Sequence, residues 1–441
     1  MPGVYVSYPF CAQKCTYCNF ASGVFPRALE ERYRTALEAE IRAHAWQWRP
    51  QTVYLGGGTP SSLAPAELAS LLQPIPGRPW QEATIEAAPG SITPEKVRAW
   101  AGLGIDRVSL GVQSFVEKEI RRTGRKHTAA VVAAEMSMLR EAGIGNCNID
   151  LIAGLSGQTA ASWNESLDWI ERLSPPHVSV YMLEVDEDSR LGKERLLGGV
   201  RYGAADAPDD DLTADFYEIA VERLAGLGIA RYEISNFARP GFESRHNLKY
   251  WRLEPYVGFG ADAHSFDGTM RRQNPETVAE YASGRTPADS GQAGDLRHER
   301  FFVGLRLMAG IRPSAEEWSR FQQPIRRFVE AGLLEVVDAG PLETGDVPAP
   351  DFAGARPLDI AGATTPDFAS ARPLDIAGAT TPDIAGARPL DIADATTPDI
   401  ASAGPLETGD GARRFTSRGV LRLTHRGVLL SNEVFQEFLS P

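Results

Sequence analysis

Apolar and polar positions follow two rhythms through the first half of the chain. Short runs rich in β-branched and aromatic residues, at 4–7, 52–55, 83–87, 107–112, 146–152 and 178–183, read as six strands of the buried, parallel kind. Between them, apolar residues recur at three- and four-residue spacing and predict amphipathic helices over 27–46, 65–72, 94–103, 129–142 and 161–173. Repeated strand–helix order means a parallel sheet with helices outside it, either doubly wound or curled toward a barrel. Six units fall short of the eight that close a full barrel, so the expected α/β fold is a partial (βα)6 TIM-like barrel.

Beyond the acidic run 209–211 the pattern predicts a helix to 227, a short strand at 232–235 and a glycine- and aromatic-rich loop through 266. Helices are expected again at 276–282, 297–308, 315–321 and 325–331. Residues 333–334 and 421–424 can pair as a wing, so the tail reads as a small α-rich, winged-helix-like domain. It is interrupted at 338–412 by a sixteen-residue repeat, PDFAGARPLDIAGATT, with Pro350, Pro366, Pro382 and Pro398 in register. Each unit carries too few large apolar side chains to offset its ordering entropy, so a disordered insert is expected, with a solenoid as the rival reading. The expected organisation is a barrel at 1–235, a loop and helical domain at 236–337, the insert at 338–412, and the end of that domain at 413–441.

Charge changes the picture only locally. The chain's 45 basic and 58 acidic side chains leave a net charge of −13. The insert holds thirteen acidic residues and three arginines, so the rest is nearly neutral. No basic surplus supports a phosphate-tracking nucleic-acid binder. No run of about 18 apolar residues marks a membrane span, and residues 1–10 lack a basic leader and an apolar signal core. A cytoplasmic location is expected, with any membrane contact made through a client.

Three of the four cysteines, Cys11, Cys15 and Cys18, crowd into eight residues directly after the first strand. Clustered thiols in a reducing compartment point to metal rather than to a disulfide framework. Parallel sheets place their sites on the loops at the carboxyl ends of strands. Three thiolates on such a loop can hold three corners of a cubane iron–sulfur cluster and leave the fourth iron without a protein ligand. That iron can chelate the amino and carboxylate groups of S-adenosylmethionine, and an electron passed through the cluster then splits a carbon–sulfur bond to give a 5′-deoxyadenosyl radical. A zinc site completed by a histidine or Cys147 is the alternative, although structural zinc usually spaces its ligands as two separated pairs. Incidental thiols are the third reading. Cys147, alone in the fifth strand, reads as a buried small hydrophobe.

Gly56, Gly57, Gly58 and Thr59 follow the second strand, where glycines let backbone N–H groups approach a polar ligand. The segment is neither a P-loop nor a dinucleotide fingerprint, and a plain strand-to-helix turn is its other reading. Glu86, Gln113, Asp150 and Glu184 fall at the carboxyl ends of successive strands. Singly each could be a surface cap; together they line one mouth. Arg125 adds a cation suited to a carboxylate, or else a solvated loop charge.

The motif CAQKCTYC, with Tyr17 before the last cysteine, resembles that of the radical S-adenosylmethionine superfamily. The phrases VYVSYPFCAQKCTYCNF, GGGTPSSL, RVSLGVQSF, NIDLIAGLSGQT and YEISNFARPGFESRHNLKYW resemble the oxygen-independent coproporphyrinogen III oxidase group and, within it, the HemW-type heme chaperones. The resemblance covers about residues 3–335 and the final helix. It implies a 4Fe-4S cluster on Cys11, Cys15 and Cys18. It also implies cofactor contacts at Tyr5, Tyr17, Gly57, Gly58, Thr59, Glu86, Gln113, Arg125, Asp150 and Glu184, with the glycine segment meeting the methionyl amine. Ala88 and Ser156 depart from the group's usual Asn and Pro.

Within that group the decarboxylating oxidase carries a further cysteine two positions after the third, where this chain has Phe20, and an extension before the first strand. The chaperone type carries His-Asn-x-x-Tyr-Trp, present here from His246 to Trp251. An imidazole can ligate heme iron and aromatics can flank a porphyrin, while a satisfied histidine among core aromatics is the other reading. The resemblance therefore implies a heme chaperone with heme at His246, an electron donor for the cluster and a client hemoprotein, such as a respiratory one. Whether S-adenosylmethionine is cleaved stays open. Radical decarboxylation of coproporphyrinogen III and a zinc-stabilised interaction module are the alternatives. His264 is expected to be structural.

Overall fold

The computed structural model describes residues 2–187, 189–284, 296–337 and 419–439. The expected insert at 338–412 lies outside them. Six strands, β1 (Gly3–Tyr8), β2 (Thr52–Gly57), β3 (Glu82–Ala87), β4 (Arg107–Gln113), β5 (Asn146–Ala153) and β6 (His177–Met182), pair in parallel and strictly in chain order. Between them run α1 (Arg27–Ala43), α2 (Pro65–Leu72), α3 (Pro94–Leu103), α4 (Glu117–Arg122), α5 (Ala129–Glu141) and α6 (Ala160–Leu173). Consecutive order with right-handed crossovers returns every helix over the same face of the sheet. The opposite face becomes a lumen, so the fold is a singly wound partial barrel.

That topology explains the period-two pattern inside each strand. Val4, Val53, Ile85, Val108, Leu110, Ile149 and Val178 are fully buried on the face opposite the lumen. Cys147 shares this face as expected, and burial pushes its thiol up to about 11. The intervening positions are polar and meet one another: Ser109, Asn148, Asp150, His177 and Ser179 form one hydrogen-bonded group. The strands are therefore buried on both faces, as the sequence suggests, but only the outer face is aliphatic, and the lumen face is lined by polar and aromatic side chains.

After β6 come α7 (Arg190–Leu197), α8 (Asp210–Gly226), β7 (Ala230–Arg231), β8 (Asn236–Ala238), α9 (Arg245–Trp251), β9 (Tyr256–Phe259), β10 (His264–Phe266), β11 (Arg271–Gln273), α10 (Val278–Ala282) and α11 (Leu296–Gly304). The wall is not closed: β1 takes β9 as its outer neighbour in parallel, and β6 takes β8 antiparallel. The single strand expected at 232–235 is replaced by β7 and β8. Residues 236–266, expected as a loop, hold three strands and α9.

A second compact unit begins at Ala309, so 236–308 packs with the barrel rather than with the tail. The reason is that β8 to β11 extend the barrel's own sheet. The second unit contains α12 (Ala315–Arg320), α13 (Gln322–Glu330), β12 (Leu334–Val337), β13 (Val420–Leu423), α14 (His425–Leu429) and α15 (Ser431–Leu439). Its two strands pair antiparallel, Leu334 opposite Leu423, as the expected wing. No helix among the described residues is long and apolar enough to cross a membrane.

Candidate functional site

The cysteine loop begins where β1 ends, and β2 holds its root. Past the paired strands, Gly58 N–H donates to the Tyr8 carbonyl (3.0 Å) and Thr59 N–H to the Phe10 carbonyl (2.9 Å). A Cβ on Gly58 would sit 2.7–2.8 Å from backbone atoms of Pro9 and Phe10. Gly57 N–H donates to Glu86 Oε2 (3.2 Å). All three N–H groups are engaged inside the protein, and at Gly58 the missing Cβ lets backbone meet backbone.

Two of the three thiols share a partner. Cys11 is hydrogen-bonded with Thr59 and Ser22, and Ser22 Oγ also lies 3.9 Å from Cys18 Sγ. Burial pushes the Cys11 and Cys18 thiols up. Cys15 Sγ accepts from Arg125 Nε (3.3 Å), while Arg125 Nη1 donates to the Gly111 carbonyl at the end of β4 (2.5 Å). Tyr17 is hydrogen-bonded with both Cys15 and Arg125 and packs against Ile152, Leu155 and Tyr181. Although burial opposes the Arg125 charge, Tyr17 and Cys15 outweigh it and hold the guanidinium protonated. Thr16 ties the same loop to Arg122 and Thr123. Among the described residues no trio of histidine, cysteine or carboxylate side chains forms a ready cage for a single ion.

Four of the expected contact residues point into the lumen beneath this loop. Glu86 accepts from Tyr54 (2.9 Å) as well as from Gly57, and burial pushes its carboxyl up to about 8. Tyr5 lies against Tyr54 with ring centroids 6.2 Å apart, its phenol raised by burial and then by Glu86. Asp150 accepts from Asn148 (2.7 Å) and Ser109 (3.3 Å), and burial raises its carboxyl too. Gln113 is held at φ 71° on a bulge in β4, its Oε1 buried with no hydrogen-bond partner. A non-glycine residue in that backbone region with an orphaned acceptor is what an unfilled polar contact looks like. Glu184 stands exposed two residues beyond β6.

His246 is not part of this assembly. It has no exposed area and sits among residues at the amino-terminal ends of the strands. Its Nδ1 is 2.8 Å from Thr52 Oγ1, its Nε2 is 2.8 Å from the Tyr250 hydroxyl, and its ring stacks on Tyr54. Burial, then the Lys249 and Arg107 charges, push its imidazole down to about 3. The residue that organises this end, Glu82, was not a sequence candidate. Its buried carboxylate accepts from the N–H groups of Arg245 (3.0 Å) and His246 (2.9 Å), capping α9 and fixing it at the barrel's amino-terminal end. Trp251 of the same motif stacks under Arg306 at 4.4 Å. His264 is buried in β10, away from the thiols.

A partial barrel carrying this three-thiol loop defines a radical S-adenosylmethionine protein, and residues 5–170 match the family model described as Radical SAM superfamily. The heme chaperone HemW of Bacillus subtilis is 33% identical over 356 residues, which cover 76% of this chain and 93% of that protein. HemW of Mycobacterium tuberculosis is 35% identical over 354 residues, 76% and 88% of the two chains. The chain belongs to the HemW heme chaperone family of that superfamily. In fold it is similar to the Escherichia coli radical SAM enzyme coproporphyrinogen III oxidase (HemN), with a TM-score of 0.66 and 22% identity over 76% of this chain and 85% of that one.

Proposed function

We propose that this protein is a heme chaperone that holds a 4Fe-4S cluster on Cys11, Cys15 and Cys18, binds S-adenosylmethionine at the barrel mouth, and carries heme to a client hemoprotein. The observation that carries the cofactor part is the convergence of three thiols on one loop, two sharing Ser22 and the third bonded to Arg125. Bound there, the cluster would supply single electrons and one iron corner open to an amino acid's amine and carboxylate. The chain's own residues complete the site. Arg125 keeps a fixed positive charge at its edge. Gln113 offers an unused acceptor, and Glu86 and Asp150 are carboxyls poised to accept from hydroxyl or cationic groups. Tyr17, Ile152, Leu155 and Tyr181 exclude water on one side. Tyr5, Gly57, Gly58, Thr59 and Glu184 complete the expected contacts.

The chaperone reading follows from membership of the HemW family and from Phe20, exposed where the oxidase group carries another cysteine. Heme contact at His246 requires α9 to leave its place, because both ring nitrogens are engaged and no edge of the ring reaches the surface. The cytoplasm, an electron donor and a hemoprotein client complete the proposal. Anaerobic loading with iron and sulfide tests the cluster, and a colourless zinc-containing product would refute it. Heme titration of wild type and His246→Ala then tests the contact: equal affinity removes His246 from the heme site. Conversion of coproporphyrinogen III to its divinyl product would make the protein an oxidase instead.

A further inference from the structure

The start of helix α7 lies directly against the cysteine loop. Leu191 N–H donates to the Thr16 carbonyl (2.9 Å), and the Arg190 guanidinium reaches the Lys14 carbonyl (3.4 Å). Two turns further on, the chain turns apolar side chains outward. Leu196 is 61% exposed, Leu197 84% and Val200 95%. These are not the frayed end of a helix. The buried Glu194 carboxylate accepts from the N–H groups of Tyr202 (2.7 Å) and Ala204 (3.1 Å), folding the 198–203 loop back along α7 and fixing the tip. Gly199 makes that fold at φ 155°, where a Cβ would press on Glu194 at 3.0 Å.

Charge frames the tip. Within 190–203 Arg190, Lys193, Arg195 and Arg201 are exposed and the one acidic residue is the inward-turned Glu194, while exposed Glu187 and Asp206 lie just beyond that span on either side. Phe20 and Val24, 40% and 61% exposed, add apolar surface on the cysteine loop itself. An apolar centre inside a cationic rim is the composition of a surface that docks an acidic protein, the rim steering the encounter and the centre holding it.

We propose that the α7 tip is the docking surface for an acidic, low-potential one-electron donor protein. The proposal rests on the cluster reading above, since such a donor has business only beside the thiols. One electron leaves the reduced donor and is taken up by the cluster; no covalent bond is made or broken.

The test uses the full chain and an acidic flavodoxin in its hydroquinone state. Affinity is measured on unloaded and loaded protein for wild type, Leu197→Asp, the double variant Arg195→Glu with Arg201→Glu, and Phe242→Asp as an exposed apolar control elsewhere. Cluster reduction is followed optically with flavodoxin and, separately, with dithionite. The expected result is at least tenfold weaker binding and slower reduction by flavodoxin for the tip variants, with dithionite reduction and the control unchanged and wild-type binding weakened by salt. Unchanged flavodoxin affinity overturns the proposal. So does unchanged affinity accompanied by lost binding to phosphatidylglycerol vesicles or to a heme protein, which would assign the tip to a lipid surface or a client. If wild type takes up no iron, the cluster reading fails, while affinity for the unloaded chain still decides the surface.

Discussion

Arg125 Nε lies 3.3 Å from Cys15 Sγ, and the other arm of the same guanidinium is fixed on the Gly111 carbonyl. A charged N–H donor to a ligating sulfur favours the more negative, reduced state. Arg125→Leu is expected to lower the cluster's reduction potential. If the bond favours the reduced state by about 1.4 kcal/mol, the one-electron shift is ~60 mV. Arg125→Lys should recover little of it, since an ammonium cannot span both acceptors. Potentiometric titration of the loaded protein checks both, and an unchanged potential in Arg125→Leu would refute the assignment.

Gly58 is the point where β2 touches the root of the cysteine loop. Gly58→Ala must displace Pro9 and Phe10, two and one residues before Cys11, at a cost of about 1–3 kcal/mol. The melting temperature and the iron and sulfide retained after loading should fall together. Full iron content with only a lower melting temperature would mean that the loop's position does not depend on this contact.

The buried imidazole of His246 makes the α9 end sensitive to acid. Its folded pKa is about 3, below the ordinary histidine value near 6.5. Between those values the unfolded chain binds the proton and the folded chain does not, so this contribution to stability is complete above about 6.5 and lost as pH falls toward 3. His246→Gln, which removes that titration, should show a shallower decline of denaturation midpoint from pH 6.5 to 4 than wild type. Parallel declines would show that the ring titrates normally.

Glu86 titrates in the opposite sense. With its carboxyl raised to about 8, largely by burial, it is protonated at neutral pH. A cationic ligand entering beside it should expel that proton. Calorimetry of S-adenosylmethionine binding at pH 7, in two buffers of different ionisation enthalpy, should therefore show release of up to about one proton, abolished in Glu86→Gln. Buffer-independent heats would separate the ligand from this carboxyl.

The six parallel strands were legible because each has an unbroken apolar face, and the thiol loop because its spacing is short and local. The lumen was not. Thr52, Glu82, Arg107 and His177 open their strands, and in sequence they read as polar boundaries rather than as one interior. Helix α9 escaped notice because seven aromatic-rich residues are too few to display a helical period. His246 could not be placed at all from the sequence, since its partner Thr52 is 194 positions away. The glycines at 57 and 58 were recognised as a close approach, but the sequence cannot say whether ligand or backbone does the approaching. In the structure Glu86, Tyr8, Pro9 and Phe10 are their protein neighbours.

A ring of strands bonded all the way round has a circumference fixed by strand number and stagger. Here the ladder turns aside at both margins, β1 toward β9 and β6 toward β8. The bore of this half-open cylinder is therefore not fixed by a closed ladder of interstrand bonds.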